Sequence, residues 1–174
     1  MVTLRDIEMH EGLNTYTNNA IANVGGSIWG RFGFSDVFTV FLAMDSYVEL
    51  YKGGIVPLRD FANMKKDNDI LVRLIVKKTP CKITYQSMRN QRTDFPVIAC
   101  AVSETDGVYR ASIGARPSKA ILICDEQKLL NGEVTADKAK AFAAYVAEKA
   151  PTDSNLPAVL TVEHGNQIPI NHTK

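Results

Sequence analysis

The residues best placed to do chemistry lie between positions 23 and 36: Asn23-Val24-Gly25-Gly26-Ser27-Ile28-Trp29-Gly30-Arg31-Phe32-Gly33-Phe34-Ser35-Asp36. Glycine puts no side chain between the backbone and a ligand, and it reaches positive φ without strain. Consecutive N–H groups in such a stretch can form a concavity that takes an anion. Ser35 and Asp36 then read as the start of a helix, with Ser35 as N-cap, and helix N-termini favour negative charge. The competing reading is a tight turn that packs two elements closely, because short glycine motifs match many unrelated turns.

No other reactive side chains form a constellation. The cysteines, Cys81, Cys100 and Cys124, are odd in number and far apart. They lack the paired spacing of a zinc or iron–sulfur site and read as reduced thiols in or near strands. His10, His164 and His172 have no ligand spacing, and no Ser, Cys or carboxylate is placed to make a nucleophile–histidine pair. No catalytic residue and no metal site is therefore expected. Arg89, Arg92, Arg110 and Arg116 have no interleaved aromatic platform, and a net charge of +1 supplies no basic field, which argues against nucleic acid.

The elements that position these residues follow from periodicity. Composition is ordinary for a globular chain, with 45% hydrophobic and 22% charged residues. A length of 174 residues fits one domain, or two small ones sharing a core. Leu4 and Ile7 suggest a short helix, and Asn14, Thr15 and Thr17 offer caps for a second one running toward Ala22. Val37, Val40, Phe41 and Met44 recur at helical spacing with Phe38 and Leu42 on the flank, which predicts a buried helix. Residues 47–51 alternate as a strand, Gly53-Gly54 signals a hairpin, and Ile55-Val56 returns. Pro57 begins a short helix, and residues 69–76 form a strand rich in β-branched side chains.

Beyond Pro80 the pattern changes to strands at 83–88, 95–103, 109–113 and 119–123, with a tight turn at Thr105-Asp106-Gly107. The 95–103 strand is apolar enough to be buried on both faces. Residues 136–150 form the clearest helix, capped by Thr135 or Asp137, with Ala139, Phe142, Ala143 and Val146 as its apolar stripe. The tail from 152 shows no sustained periodicity. The fold expected is α+β. No apolar run reaches membrane-spanning length and the first residues lack the apolar core of a secretory signal, so a soluble, cytoplasmic protein is expected.

A longer match surrounds the glycines. Val24-Gly25-Gly26-Ser27-Ile28, Ser35-Asp36, Ala43-Met44-Asp45 with Val48-Glu49-Leu50, Val56-Pro57-Leu58-Arg59-Asp60-Phe61 and Asp69-Ile70-Leu71 occur in order. Together they resemble the second flavin-binding subdomain of the molybdenum hydroxylases, in the FAD subunits of xanthine and carbon monoxide dehydrogenases. Asp94-Phe95-Pro96-Val97 and Ile113-Gly114-Ala115-Arg116-Pro117 are similar to segments of that family's C-terminal flavoprotein domain. The resemblance implies a partial flavin subdomain at 1–79, a C-terminal antiparallel sheet packed with helices at 80–150, and an atypical tail at 151–174.

The resemblance further implies that Asn23, Gly25, Gly26 and Ser27 approach the flavin and its phosphates. Ile28, Trp29, Ser35, Asp36 and Leu71 complete the implied FAD contacts, with Trp29 near the ring and Asp36 at the ribityl or adenosine end. Ser27 stands where the family has Asn, and Arg31-Phe32-Gly33-Phe34 is bulkier than the family's run. The family's first flavin subdomain, with its "AGGT" phosphate loop, and its closing "RGSAEYRR" helix have no counterpart in this sequence. The function implied is electron transfer from iron–sulfur clusters to FAD and on to NAD or another acceptor. The implied partners are a molybdopterin subunit and an iron–sulfur subunit. The alternative is a non-catalytic interaction or scaffold domain derived from that flavoprotein.

Overall fold

The computed structural model describes residues 24–91, 93–115, 119–150, 158–160 and 170–172, the last two segments by backbone alone. The helices expected before Ala22 and the position of Asn23 lie outside the described residues. The class is α+β: antiparallel sheets with helices packed on them.

The glycine stretch is the first departure from expectation. Residues Val24–Gly30 form helix α1 rather than a loop or turn. Each glycine inside a helix costs roughly 0.5–1 kcal/mol relative to alanine. Burial of Val24 and Ile28 in the first core cluster opposes that cost. Arg31 ends the helix at φ 49°, a left-handed conformation usually left to glycine. A β-carbon on Gly30 would run into the Phe32 ring, so a larger residue there would require that half-exposed ring to move.

Helix α2, Asp36–Ala43, follows as expected, with the Ser35 hydroxyl accepting from Phe38 N at 3.1 Å. Its burial is greater than its periodicity suggests, because Phe38 through Ala43 are all buried, Thr39 included. The topology explains this. On one side lies a sheet of order β2-β1-β3, made of β1 (Ser46–Leu50), β2 (Gly54–Pro57) and β3 (Leu71–Val76). Helix α3, Leu58–Asn63, connects β2 towards β3, with Pro57 at its N-cap. On the other side lies a meander, β4 (Cys81–Met88), β5 (Ile98–Thr105), β6 (Val108–Gly114) and β7 (Ile121–Cys124). Helix α2 packs on β5 and β6 of this second sheet while Phe38, Phe41 and Leu42 belong to the core under the first.

The register shows how a helix fits so close to a sheet. Ala99 opposes Gly114, Ala101 opposes Ser112, and Ser103 opposes Arg110. The Ser103 hydroxyl donates to the Ala43 carbonyl at the end of α2, so this face of small residues is the one turned to the helix. The opposite face carries Ile98, Cys100, Ala111, Ile113 and Ile123, clustered with Phe142, Ala143, Tyr145 and Val146 of helix α4, Ala136–Lys149. Strand β5 is thus covered on both faces, as its apolar run predicts. Thr135 caps α4, and Asp106 and Gly107, both at positive φ, make the tight turn between β5 and β6. Two short strands, β8 (Ala158–Leu160) and β9 (Ile170–His172), pair antiparallel in the tail.

Candidate functional site

The candidate site centres on α1, the 31–35 segment and the start of α2. Gly25 is exposed, and a β-carbon there would meet no atom of the described residues within 4 Å. Gly26 is exposed and Ser27 half-buried. Among the described residues, nothing covers the α1 surface at Gly25. The next two residues face the other way. Ile28 is fully buried, and Trp29 is half-buried against Phe61, with ring centroids 6.0 Å apart. Leu71, at the start of β3, packs on the same cluster as Ile28 and Trp29.

Arg31 is buried beneath this surface, with 7% of its surface exposed. Its Nη1 donates to the carbonyls of Phe61 (3.0 Å) and Met64 (2.7 Å), which lie at the end of α3. The guanidinium carbon sits 4.4 Å from the centre of the Phe61 ring and 5.8 Å from that of Trp29. A cation at helix-terminal carbonyls and over aromatic faces is favourably placed. Burial lowers the Arg31 pKa, and Asp67 acts in the opposite direction. Its Nε is buried without a hydrogen-bond partner among the described residues.

Asp36 is where the geometry adds most to the sequence. Its Oδ1 accepts from the Tyr85 hydroxyl at 2.5 Å, and its Oδ2 is ion-paired with Arg89 Nη2. Arg89 also donates from Nη1 to the Asp94 carbonyl at 2.6 Å and from Nε to Ser87 Oγ at 3.2 Å. Burial pushes the Tyr85 phenol well above its usual range, and the Asp36 carboxylate adds to the shift. Ser35 spends its hydroxyl on the N-cap and its carbonyl on Thr39 Oγ1, 3.0 Å away.

The 31–35 and 89–95 segments also meet through exposed rings. Phe32 and Phe34 stack at 5.1 Å, and Phe34 meets Phe95 at 4.5 Å. The sequence analysis weighs Arg89 only for nucleic acid and does not single out Tyr85. No local signal was available: the partner lies 49 and 53 positions earlier in the chain. Of the four arginines weighed for nucleic acid, Arg89 is paired and Arg110 has its Nη1 buried, while Arg92 and Arg116 lie outside the described residues. Among the described residues no cluster of His, Cys, Asp or Glu is arranged to hold a metal, and no helix is long and apolar enough to cross a membrane.

No protein-family model matches the sequence, and no curated protein matches it. Solved structures do. Quinoline 2-oxidoreductase from Pseudomonas putida 86 matches with a TM-score of 0.63 at 15% identity, over 84% of this chain and 54% of that one. Carbon monoxide dehydrogenase from Hydrogenophaga pseudoflava matches with a TM-score of 0.63 at 17% identity, over 77% of this chain and 52% of that one. The Oligotropha carboxidovorans carbon monoxide dehydrogenase matches with a TM-score of 0.59 at 19% identity, over 78% and 53%. The α+β fold is therefore shared with chains of these quinoline and carbon monoxide oxidoreductases. The protein spans about half the length of the chains it matches.

Proposed function

We propose that this chain is one module of an FAD-binding electron-transfer subunit in a molybdopterin-dependent dehydrogenase. In this reading it supplies the second flavin subdomain up to residue 79 and the C-terminal flavoprotein domain from 80 to 150. Two independent supports converge. The ordered motifs resemble that family's flavin subunits, and the fold is shared with chains of carbon monoxide dehydrogenase and quinoline 2-oxidoreductase.

The single observation that carries the cofactor reading is the exposed Gly25, where no described residue lies within 4 Å of a β-carbon position. A bare backbone suits close approach of a planar or phosphate-bearing group. In this reading Gly25 and Ser27 would approach one edge of FAD by main chain, with Gly26 between them and Asn23 before them in the sequence, and Trp29 and Leu71 would support that surface from beneath. Bound FAD supplies electron transfer, and the protein supplies position and electrostatics. The partners in this reading are a molybdopterin subunit and an iron–sulfur subunit of the same complex, in the cytoplasm.

The second reading, a non-catalytic docking domain derived from such a flavoprotein, is favoured by one observation. Both carboxylate oxygens of Asp36 are engaged inside the chain. Titrating the purified protein with FAD separates the readings. Saturable quenching of flavin fluorescence, weakened at least about fivefold by Gly25→Val, which puts a branched side chain on the open backbone, supports the first. No quenching, and no flavin absorption after dialysis against excess FAD, overturns autonomous cofactor binding.

A further inference from the structure

The flavin contacts implied for this stretch include the Asp36 side chain. The geometry gives that side chain other work. Its two oxygens point at two different residues of the second sheet region, Tyr85 on β4 and Arg89 just beyond it. Asp36 is the first residue of α2, so its position is fixed by the Ser35 cap one residue earlier. Arg89 is held in turn by the Asp94 carbonyl and the Ser87 hydroxyl. The side chains of Arg89 and Asp36 are 24% and 37% exposed, so solvent screens the pair only in part.

We infer that Asp36, Tyr85 and Arg89 form an internal latch that pins the start of α2, and with it the Phe32–Ser35 segment, to strand β4. Tyr85 and Arg89 are positioning residues for the surface next to α1, and Asp36 serves the latch rather than a ligand. Three features support this. Arginine's planar fork can serve Asp36 and the Asp94 carbonyl together, which a lysine ammonium does less well. The carboxylate sits in the first turn of α2, where negative charge is favoured. The same segment is tied to the second sheet at another point, since Ala115 N donates to the Gly33 carbonyl. The latch runs from the end of β4 to α2, and the Gly33–Ala115 bond from the end of β6, so the loop between α1 and α2 is held from two strands. The consequence for a ligand at Gly25–Ser27 rests on the function proposed above; the latch itself does not.

The test is a double-mutant cycle of Asp36→Asn and Arg89→Gln, with Tyr85→Phe and Arg89→Lys alongside, read by thermal unfolding and by hydrogen exchange at α2. Each single variant should lower Tm by roughly 2 °C or more, and the double variant should lose clearly less than the sum. Exchange should rise at the first turn of α2 before it rises in β5. Arg89→Lys should restore part of the loss and Arg89→Gln none. Additive losses, or α2 protection equal to wild type in every variant, overturn the latch. FAD titration of Asp36→Asn gives the separate arm. Affinity within about threefold of wild type is expected. A loss above about tenfold with unchanged Tm returns Asp36 to the ligand and overturns the assignment. If the wild type takes up no FAD, the proposed function fails while the cycle still decides the latch.

Discussion

Gly114 has no room for a β-carbon. One built there would collide with Thr39 Oγ1 and lie 2.7 Å from the Gly33 carbonyl. The second neighbour is backbone and cannot swing away, so Gly114→Ala should cost on the order of 1–3 kcal/mol, read as a fall in Tm. Asp69 acts at a different kind of contact. Its carboxylate accepts from Lys52 N (2.9 Å), Gly53 N (2.8 Å) and Ile70 N (2.8 Å), closing the β1–β2 hairpin onto the entry to β3. Desolvation pushes its pKa up, but the bonds from Lys52, Ile70 and Gly53 outweigh it, and the net shift is downward. A depressed folded pKa adds stability above the unfolded value of about 3.9 and loses it as pH falls through the folded one. The Tm gap between wild type and Asp69→Ala should therefore be widest near neutral pH and shrink below about pH 4. A gap independent of pH would show that the carboxylate's charge plays no part. Burial pushes the Cys100 thiol up to about 12, so it stays protonated near neutral pH; the sequence reads it as a reduced thiol in or near a strand.

Among the elements, α2 carries the most. It is buried almost all round because it fills the space between two sheets, and Phe38 within it is 1% exposed. Phe38→Ala should cost about 3–5 kcal/mol and should reduce hydrogen-exchange protection in both β1 and β5, not in one sheet alone. The sequence announced this helix and its Ser35 cap through spacing, and it announced β1 to β7 and α4 through alternation, turn residues and an apolar stripe. It did not announce that α1 is a helix. Two adjacent glycines weigh against helix locally, and the burial of Val24 and Ile28 in a core shared with residues far along the chain opposes that preference. The site was legible to the same degree. Exposed glycine backbone is a local property and could be read from residue type. The engagement of Asp36 by Tyr85 and Arg89, and the capping of α3 by Arg31, are long-range contacts for which periodicity holds no information.

For the whole molecule, the sharing of α2 sets how the chain unfolds. One core cluster joins α1, α2, α3 and the first sheet but also takes in Ala120 and Leu122 near β7. A cut between the sheets would strand α2 with one of its two partners. A polypeptide ending at residue 79 keeps the helix but bares the surface that faces Ala99, Ala101 and Ser103. It should lack a cooperative thermal transition, whereas the full chain should unfold with far-ultraviolet dichroism and tryptophan emission changing together. A cooperative transition in the shorter polypeptide would mean that the first sheet and its helices fold without the second. The chain contains a single tryptophan, Trp29, and it stands on α1 against Phe61, a few residues beyond the open glycines. Nature has thus placed one built-in lamp beside the surface in question: its emission overlaps the near-ultraviolet absorption of many ring ligands, so any such molecule settling on α1 would dim it without a label.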